Sequence, residues 1–342
     1  MSKRKLLSCW LALTLCAALS ASAQRIDRVI YFGDSLSDSG NHFLFTHQVT
    51  VPPYTLEPPT ASYPIGWFHF SNGPTWAEYL ADALHSPASG APSVLLPGFF
   101  TNYSVGRARA RDGGDPQFPT FFLTAQVNKF LADFHNHVPA NSLVVIWIGS
   151  NDVDDAISAF FADVPNCIVS LNPSCQALTI IGAATAAIQT NIATLYKAGA
   201  RRFLIADVPD ISATPYVSYL STHVNPLIGT VASDLTGLFD GALGQVVAAY
   251  ASQFATTDPA ASITPFDVAG VLAFIRSHPA LAGFSDVTDR CTVPGVLKDA
   301  VCATPNTYLF WDAAHPTTAA HRVLAETAFC VLEPKAVRCS QP

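Results

Sequence analysis

The sequence predicts a three-layer α/β/α domain with a mainly parallel central sheet. Short apolar runs recur along the chain, each continuous rather than alternating, which is how strands buried on both faces read. Between them lie longer stretches with helical periodicity, and strand alternating with helix indicates layers of helix on either side of a sheet. Composition permits this: of 342 residues 50% are hydrophobic and 13% charged, so the chain can bury a large core and lacks the signature of disorder.

Strands are expected at Arg28–Phe32, Ser93–Leu96, Leu143–Ile148 and Arg202–Ala206, with Ile263–Phe266 as a weaker fifth. Helices are expected at Pro74–Leu84, Pro119–His135, Gln176–Gly199, Leu227–Phe254 and Asp267–Ser277, with a last one after His315. Clusters such as Glu57-Pro58-Pro59 and the run from Arg111 to Pro116 read as loops inside one domain. No linker, repeat or low-complexity tract divides residues 24–342, so a single domain is expected there.

The first 23 residues have a different logic. Lys3, Arg4 and Lys5 precede an apolar run from Leu6 to Leu19, and the small residues Ala21-Ser22-Ala23 follow; this is the pattern of a secretory signal peptide cleaved after Ala23. The run is shorter than the roughly 20 residues a spanning helix needs. Its removal takes three positive charges and no acid, moving the formal charge from −7 to −10. Such a protein has no electrostatic claim on nucleic-acid backbones or anionic lipid. A secreted or periplasmic monomer is expected.

Cysteine use agrees with export. Cys9 and Cys16 leave with the signal, and Cys167, Cys175, Cys291, Cys302, Cys330 and Cys339 remain. Six cysteines allow many pairings. They nevertheless form three close sequence pairs, expected as disulfides 167–175, 291–302 and 330–339, each closing a local loop in an oxidising compartment. None of these pairs has the short spacing of a structural zinc site.

The chemistry is concentrated at two ends of the chain. The first strand runs directly into Gly33-Asp34-Ser35-Leu36-Ser37-Asp38-Ser39-Gly40-Asn41, and ligands of open α/β sheets bind beyond the carboxyl ends of strands. A serine hydroxyl needs a base, and the base needs an orienting group. Both are present in Trp311-Asp312-Ala313-Ala314-His315-Pro316-Thr317, where three-residue spacing lets carboxylate and imidazole meet within one turn. The α/β-hydrolase elbow G-x-S-x-G is not met, because position 37 is serine.

These residues resemble the GDSL family of esterases and lipases, part of the SGNH hydrolase superfamily, whose four sequence blocks occur here in order. The blocks are Gly33 to Asn41, Asn102-Tyr103-Ser104-Val105-Gly106, Gly149-Ser150-Asn151-Asp152 and Asp312 to Thr317. The connecting segments Phe70 to Trp76 and Phe266-Asp267 through Gly283-Phe284 look like those of bacterial secreted and fungal members, and the likeness covers residues 27–330.

The resemblance implies an SGNH/flavodoxin-like hydrolase fold with Ser35 as nucleophile, His315 as base and Asp312 as its orienting partner. It implies an oxyanion hole made by the backbone N–H of Ser35, that of Gly106 and the side-chain amide of Asn151. It calls for no metal or organic cofactor. Many relatives carry a second glycine where this chain has Arg107, which bears on the shape of that loop.

The substrate expected is a small-molecule or lipid ester. A phospholipase A or lysophospholipase that transfers acyl groups to a sterol, and a carbohydrate acetylesterase, are the neighbouring activities. A binding protein on an inactive scaffold would require loss of a catalytic residue, and Ser35, Gly106, Asn151, Asp312 and His315 are all present.

Other polar residues read as structural. Asp34 and Asp38 suit capping of backbone amides, Asp152 suits a structural role, and His135 with His137 form a surface pair at a helix end. Arg107, Arg109 and Arg111 alternate and suit loop charge or internal ion pairs, or contact with an acidic or phosphorylated substrate group. The aromatic stretches Gly66 to Phe70 and Phe118 to Phe122 are core or acyl-site candidates. The 291–302 loop is expected to border the cleft. N-terminal sequencing of the exported protein is expected to begin at Gln24; any other start contradicts the cleavage site.

Overall fold

The structure is a computed structural model that describes residues 25–46, 68–113, 117–167, 174–292 and 301–339; the expected signal peptide lies outside the described residues. Strands β1 (Arg28–Gly33), β2 (Ser142–Trp147), β3 (Arg202–Ala206) and β4 (Ser262–Phe266) form one parallel sheet in the order β1-β2-β3-β4. Ile30 stands opposite Val144, Val144 opposite Phe203, and Leu204 opposite Thr264. A second pair, β5 (Asp286–Arg290) and β6 (Tyr308–Phe310), also runs parallel.

The helices in chain order are α1 (Asn41–Thr46), α2 (Trp76–Ala83), α3 (Leu123–Asp133), α4 (Ser150–Ala162), α5 (Val164–Cys167), α6 (Gln176–Lys197), α7 (Pro215–His223), α8 (Leu227–Thr257), α9 (Val268–Ser277) and α10 (Thr318–Leu332). Alternate residues of a strand face opposite sides of its sheet. Accordingly Ile30, Phe32, Val144, Ile146, Phe203 and Ile205 pack with α3, α4, α6 and α8. Val29, Tyr31, Val145, Trp147 and Leu204 pack with α2, α9 and α10. Both faces are therefore dry, which is why these strands are apolar at every position rather than at every second one.

Helix starts follow the capping chemistry of the sequence. Thr75 and Glu78 form a reciprocal capping box on α2, while Asp267 and Thr317 accept backbone N–H groups at the starts of α9 and α10. Helix α3 is shorter than expected at both ends. Its approach is spent on a bridge between Arg109 and Phe122, and His135 and Asn136 end it with φ of 52° and 60°. Helix α6 is long and apolar enough to cross a membrane, but Ile181, Ala184, Ile188, Ile192 and Leu195 along it are buried in the core.

Two differences from the sequence reading bear on the site. Ser93–Leu96 is not a strand: Ser93 N–H donates to Asn102 O, the chain then turns, and Leu95 and Leu96 are exposed. The segment that lines the free edge of β1 is instead 101–105, where Tyr31 N–H donates to Thr101 O, Tyr103 N–H to Tyr31 O and Val105 N–H to Gly33 O. An apolar run marks burial on a sheet only if an edge is there to receive it. The second difference is α4, which the sequence reading left without a helix; it opens on Gly149 and carries the third sequence block.

Gly149 has φ of 136°, and a Cβ there would stand 2.2 Å from the Phe239 ring. Both the backbone and the space exclude a side chain. Gly149→Ala is expected to lower unfolding free energy by about 2–4 kcal/mol in a denaturant titration, from left-handed strain plus overpacking. A loss under about 0.5 kcal/mol contradicts this account.

Candidate active site

Ser35 leaves β1 in a turn held on all sides. Gln126 brackets Gly33, accepting its N–H at 2.9 Å and donating to its carbonyl at 2.7 Å. Trp76 Nε1 donates to Ser37 Oγ at 2.9 Å, and Trp76 itself is wedged against Trp147 and Phe266 with ring centroids 5.2 and 5.7 Å away. Asp34 Oδ1 accepts the Leu36 N–H. The turn is thus fixed by contacts that do not involve His315.

Asp38, one turn on, is fully buried and serves two loops. Its Oδ1 accepts the N–H of Gly40 and Asn41, both at 2.7 Å, and its Oδ2 accepts that of His42 at 3.0 Å and of Gly106 at 2.8 Å. Asn41 and Asn102 add crossed side-chain bonds: Asn41 Nδ2 donates to the carbonyls of Asn102 and Ser104, and Asn102 Nδ2 donates to Ser37 O. The sequence reading quoted these asparagines only as members of their blocks. Their pairing carried no local signal, since the partners are about sixty residues apart.

The Asp312–His315 turn closes on this edge from the far end of the chain. Asp312 Oδ1 accepts the N–H of Ala314 and His315, and Oδ2 lies 2.8 Å from His315 Nδ1. His315 Nε2 lies 2.8 Å from Ser35 Oγ. The turn is held by Trp311 N–H donating to His315 O, by Ser71 Oγ donating to Pro316 O, and by Thr318 N–H donating to Asn72 Oδ1. Phe70 packs its ring 5.1 Å from the imidazole. The segment from Phe70 to Pro74 is therefore a brace for the His315 turn.

Electrostatics follow from burial. The charged imidazolium of His315 is disfavoured by desolvation, but the carboxylate and hydrogen bond of Asp312, together with Asp34, outweigh this and hold its pKa above the ordinary 6.5. Burial pushes Asp34 up to about 7, against the Leu36 N–H and His315. Behind the turn, burial with His315 and His69 nearby pushes His321 down to about 3, so it stays neutral.

Asn151 sits on the first turn of α4 and donates one Nδ2 hydrogen to Ala108 O at 2.9 Å. An amide nitrogen has two hydrogens, so one remains for another acceptor. Ser35 N–H has no acceptor among the described residues. Gly106 differs from expectation: its single N–H is directed at Asp38 Oδ2, and its carbonyl lies 3.1 Å from His42 Nδ1, so its amide is not aimed at a substrate oxygen. Glycine is required there by close approach, because a Cβ would lie 2.3 Å from the Phe70 ring. The next residue, Arg107, has φ of 67°.

The alternating arginines divide in role. Arg109 meets Asp155 through Nε and Nη2 at 3.1 and 3.0 Å, and Arg111 bridges Asp152 and Asp155 at 2.7 and 2.5 Å. Asp152, fully buried, also accepts the Ala110 N–H at 2.7 Å. This clamp ties the loop after Gly106 to the helix that carries Asn151. Arg107 instead lies over the Phe118 ring, 5.2 Å from its centroid, and lines the cavity.

Beside Ser35 and His315 opens a cavity of about 550 Å³, walled by Phe70, Trp147, Ile211, Val217, Leu272 and Phe310 among others. Of the two aromatic stretches only Phe70 reaches it; Phe118 and Phe121 instead pack around His42, while Gly66 and Trp67 lie outside the described residues. His135 and His137 are exposed at the end of α3. The structure contains disulfides 167–175, 291–302 and 330–339. Cys291 and Thr292 donate backbone bonds to Phe310 and Trp311, just before Asp312, while residues 293–300 of that loop lie outside the described residues.

Known proteins resemble this chain over most of its length. The chain is 25% identical to GDSL esterase/lipase 6 of Arabidopsis thaliana over 95% of this chain and 92% of that one. It is 24% identical to the phosphatidylcholine-sterol acyltransferase of Aeromonas hydrophila, over 93% and 95%. Plant and bacterial relatives thus match alike, and the expected bacterial or fungal branch is not singled out. A solved catalytic mutant of Axe2, an acetylxylan esterase from Geobacillus stearothermophilus, covers 90% of this chain and 94% of its own, at 12% identity and a TM-score of 0.43. The family model described as GDSL-like Lipase/Acylhydrolase matches residues 29–328, and the chain belongs to this family of carboxylic ester hydrolases.

Proposed function

We propose that the chain is an exported ester hydrolase that works through an acyl-enzyme on Ser35. The observation that carries this reading is the continuous line from Ser35 Oγ through His315 Nε2 and Nδ1 to Asp312 Oδ2, each step 2.8 Å. His315 takes the hydroxyl proton as Oγ attacks the ester carbonyl and returns it to the leaving alcohol; water then repeats the cycle and frees the acid. Asp312 fixes the tautomer and favours the imidazolium. The three disulfides support a route through an oxidising compartment, with residues 1–23 as its signal.

Charge on the carbonyl oxygen is met by the Ser35 N–H and the second Asn151 amide hydrogen. Transfer of the acyl group to another alcohol is a second reading, supported by the sterol acyltransferase among the relatives. Carbohydrate deacetylation is the reading these apolar walls favour least.

With nitrophenyl esters from acetate to palmitate, the mature protein is expected to turn over at least part of the series. Ser35→Ala is expected to lose on the order of 10⁴–10⁶ in kcat, and Asn151→Ala roughly 10²–10³. Equal activity in Ser35→Ala removes Ser35 as nucleophile. Because the base must be neutral and its pKa is raised, kcat/KM is expected to rise with pH through a limb above 6.5. Asp34→Asn removes a charge that favours the imidazolium, so that limb is expected to move to lower pH. A limb that stays in place shows that Asp34 does not act on His315.

A further inference from the structure

The cavity continues past Ser35 between α9 and the segment that follows β3. We propose that this extension is a binding channel for a long-chain fatty acyl group, with Ala273 on α9 setting the length of chain accepted; the proposal rests on the ester-hydrolase reading above. One wall is a single face of α9: Ala269, Leu272, Ala273 and Arg276 all line the cavity at i, i+3, i+4 and i+7. Ile211, Ala213 and Val217 line it as well, from the start of α7 and the turn before it.

Three features select an acyl chain over a sugar or a short acid. The volume is about 550 Å³. A methylene occupies about the space of a water, roughly 30 Å³ in the liquid, so the cavity has room for a long acyl chain whereas an acetyl group leaves most of it empty.

Two polar side chains of the β3–α7 wall are already engaged. Asp210 caps Ser212 N–H and accepts from Ser233 Oγ, and Thr214 Oγ1 donates to Ile211 O and accepts from Val217 N–H. A sugar hydroxyl would have to compete for these two groups with the bonds they already make.

The third feature is the grading along α9. Ala269 and Ala273 are small and leave the channel open, and Arg276, exposed and a turn further out, brings a charge to the wall where an apolar chain should stop. At 1.5 Å per residue, Ala273 lies about 6 Å beyond Ala269. A larger side chain at 273 therefore shortens the channel without touching the triad. Ala273 is exposed, so Phe is borne there without repacking a core.

The test compares kcat/KM for nitrophenyl esters of acetate through palmitate with that for acetates of ethanol through hexadecanol, in wild type, Ala273→Leu and Ala273→Phe. Labelling of Ser35 by a fluorophosphonate is scored on each protein. Wild type is expected to prefer long acyl chains. Ala273→Phe is expected to cut the palmitate-to-acetate ratio by about tenfold or more, with Leu intermediate, as loss of several buried methylenes requires.

A ratio that does not change, a wild-type preference for acetate, or a shift in the alkyl acetate series instead overturns the acyl assignment while Ser35 still labels. Absence of labelling at Ser35 in wild type overturns the hydrolase reading and this proposal with it.

Discussion

The buried carboxylate of Asp38 joins segments that are otherwise separate. Four backbone N–H groups converge on it, three from the start of α1 and one from Gly106, and each would be an unsatisfied donor in a dry interior without it. Because the four sit on two loops, the carboxylate fixes the distance between the Ser35 turn and the loop after 101–105. Asn41 and Asn102 repeat the same tie with neutral amides. The glycine at 106 serves this tie, through its amide and through the room it leaves for Phe70.

The site is then assembled by the parallel sheet. A parallel arrangement brings every strand's carboxyl end to one edge, so the turn after β1 and helix α4 after β2 meet there although residues 35 and 151 are far apart in the chain. The third contributor is different in kind. β6 lies outside the main sheet, and the Asp312–His315 turn reaches Ser35 only because the segment from Ser71 to Pro74 and the Cys291–Thr292 backbone hold it on both sides. Two sheets and a brace thus converge on one hydroxyl.

The ion-pair clamp of Arg109 and Arg111 on Asp152 and Asp155 adds a further constraint. Charges this buried persist only with partners of good geometry. Here the bidentate contact of Arg109 and the bridging of Arg111 meet that condition, and the effect is to hold Asn151 against Ala108. Alternation in the sequence had left open whether these arginines faced substrate. Arg107 and Arg109 both line the cavity, but Arg109 and Arg111 are held by carboxylates on a helix about forty residues away.

The sequence by itself determined the strands of the main sheet and most helices, and it marked the serine, aspartate and histidine that the fold brings within hydrogen-bond reach. Continuous apolar runs report two dry faces, and a three-residue spacing suffices to bring Asp312 and His315 together. It misplaced the edge segment at Ser93–Leu96, missed α4 and did not foresee the bond from the Gly106 amide to Asp38. Apolar character at 93–96 says nothing about which stretch finds the edge of β1, and the polar first turn of α4 hides its helical period. What only the tertiary structure decided was which acceptor each amide serves and where the cavity runs. Those depend on partners tens to hundreds of residues away, such as Asp38 for Gly106 and Ser35 for His315, and a hydrogen bond across that separation leaves no periodic trace in the chain.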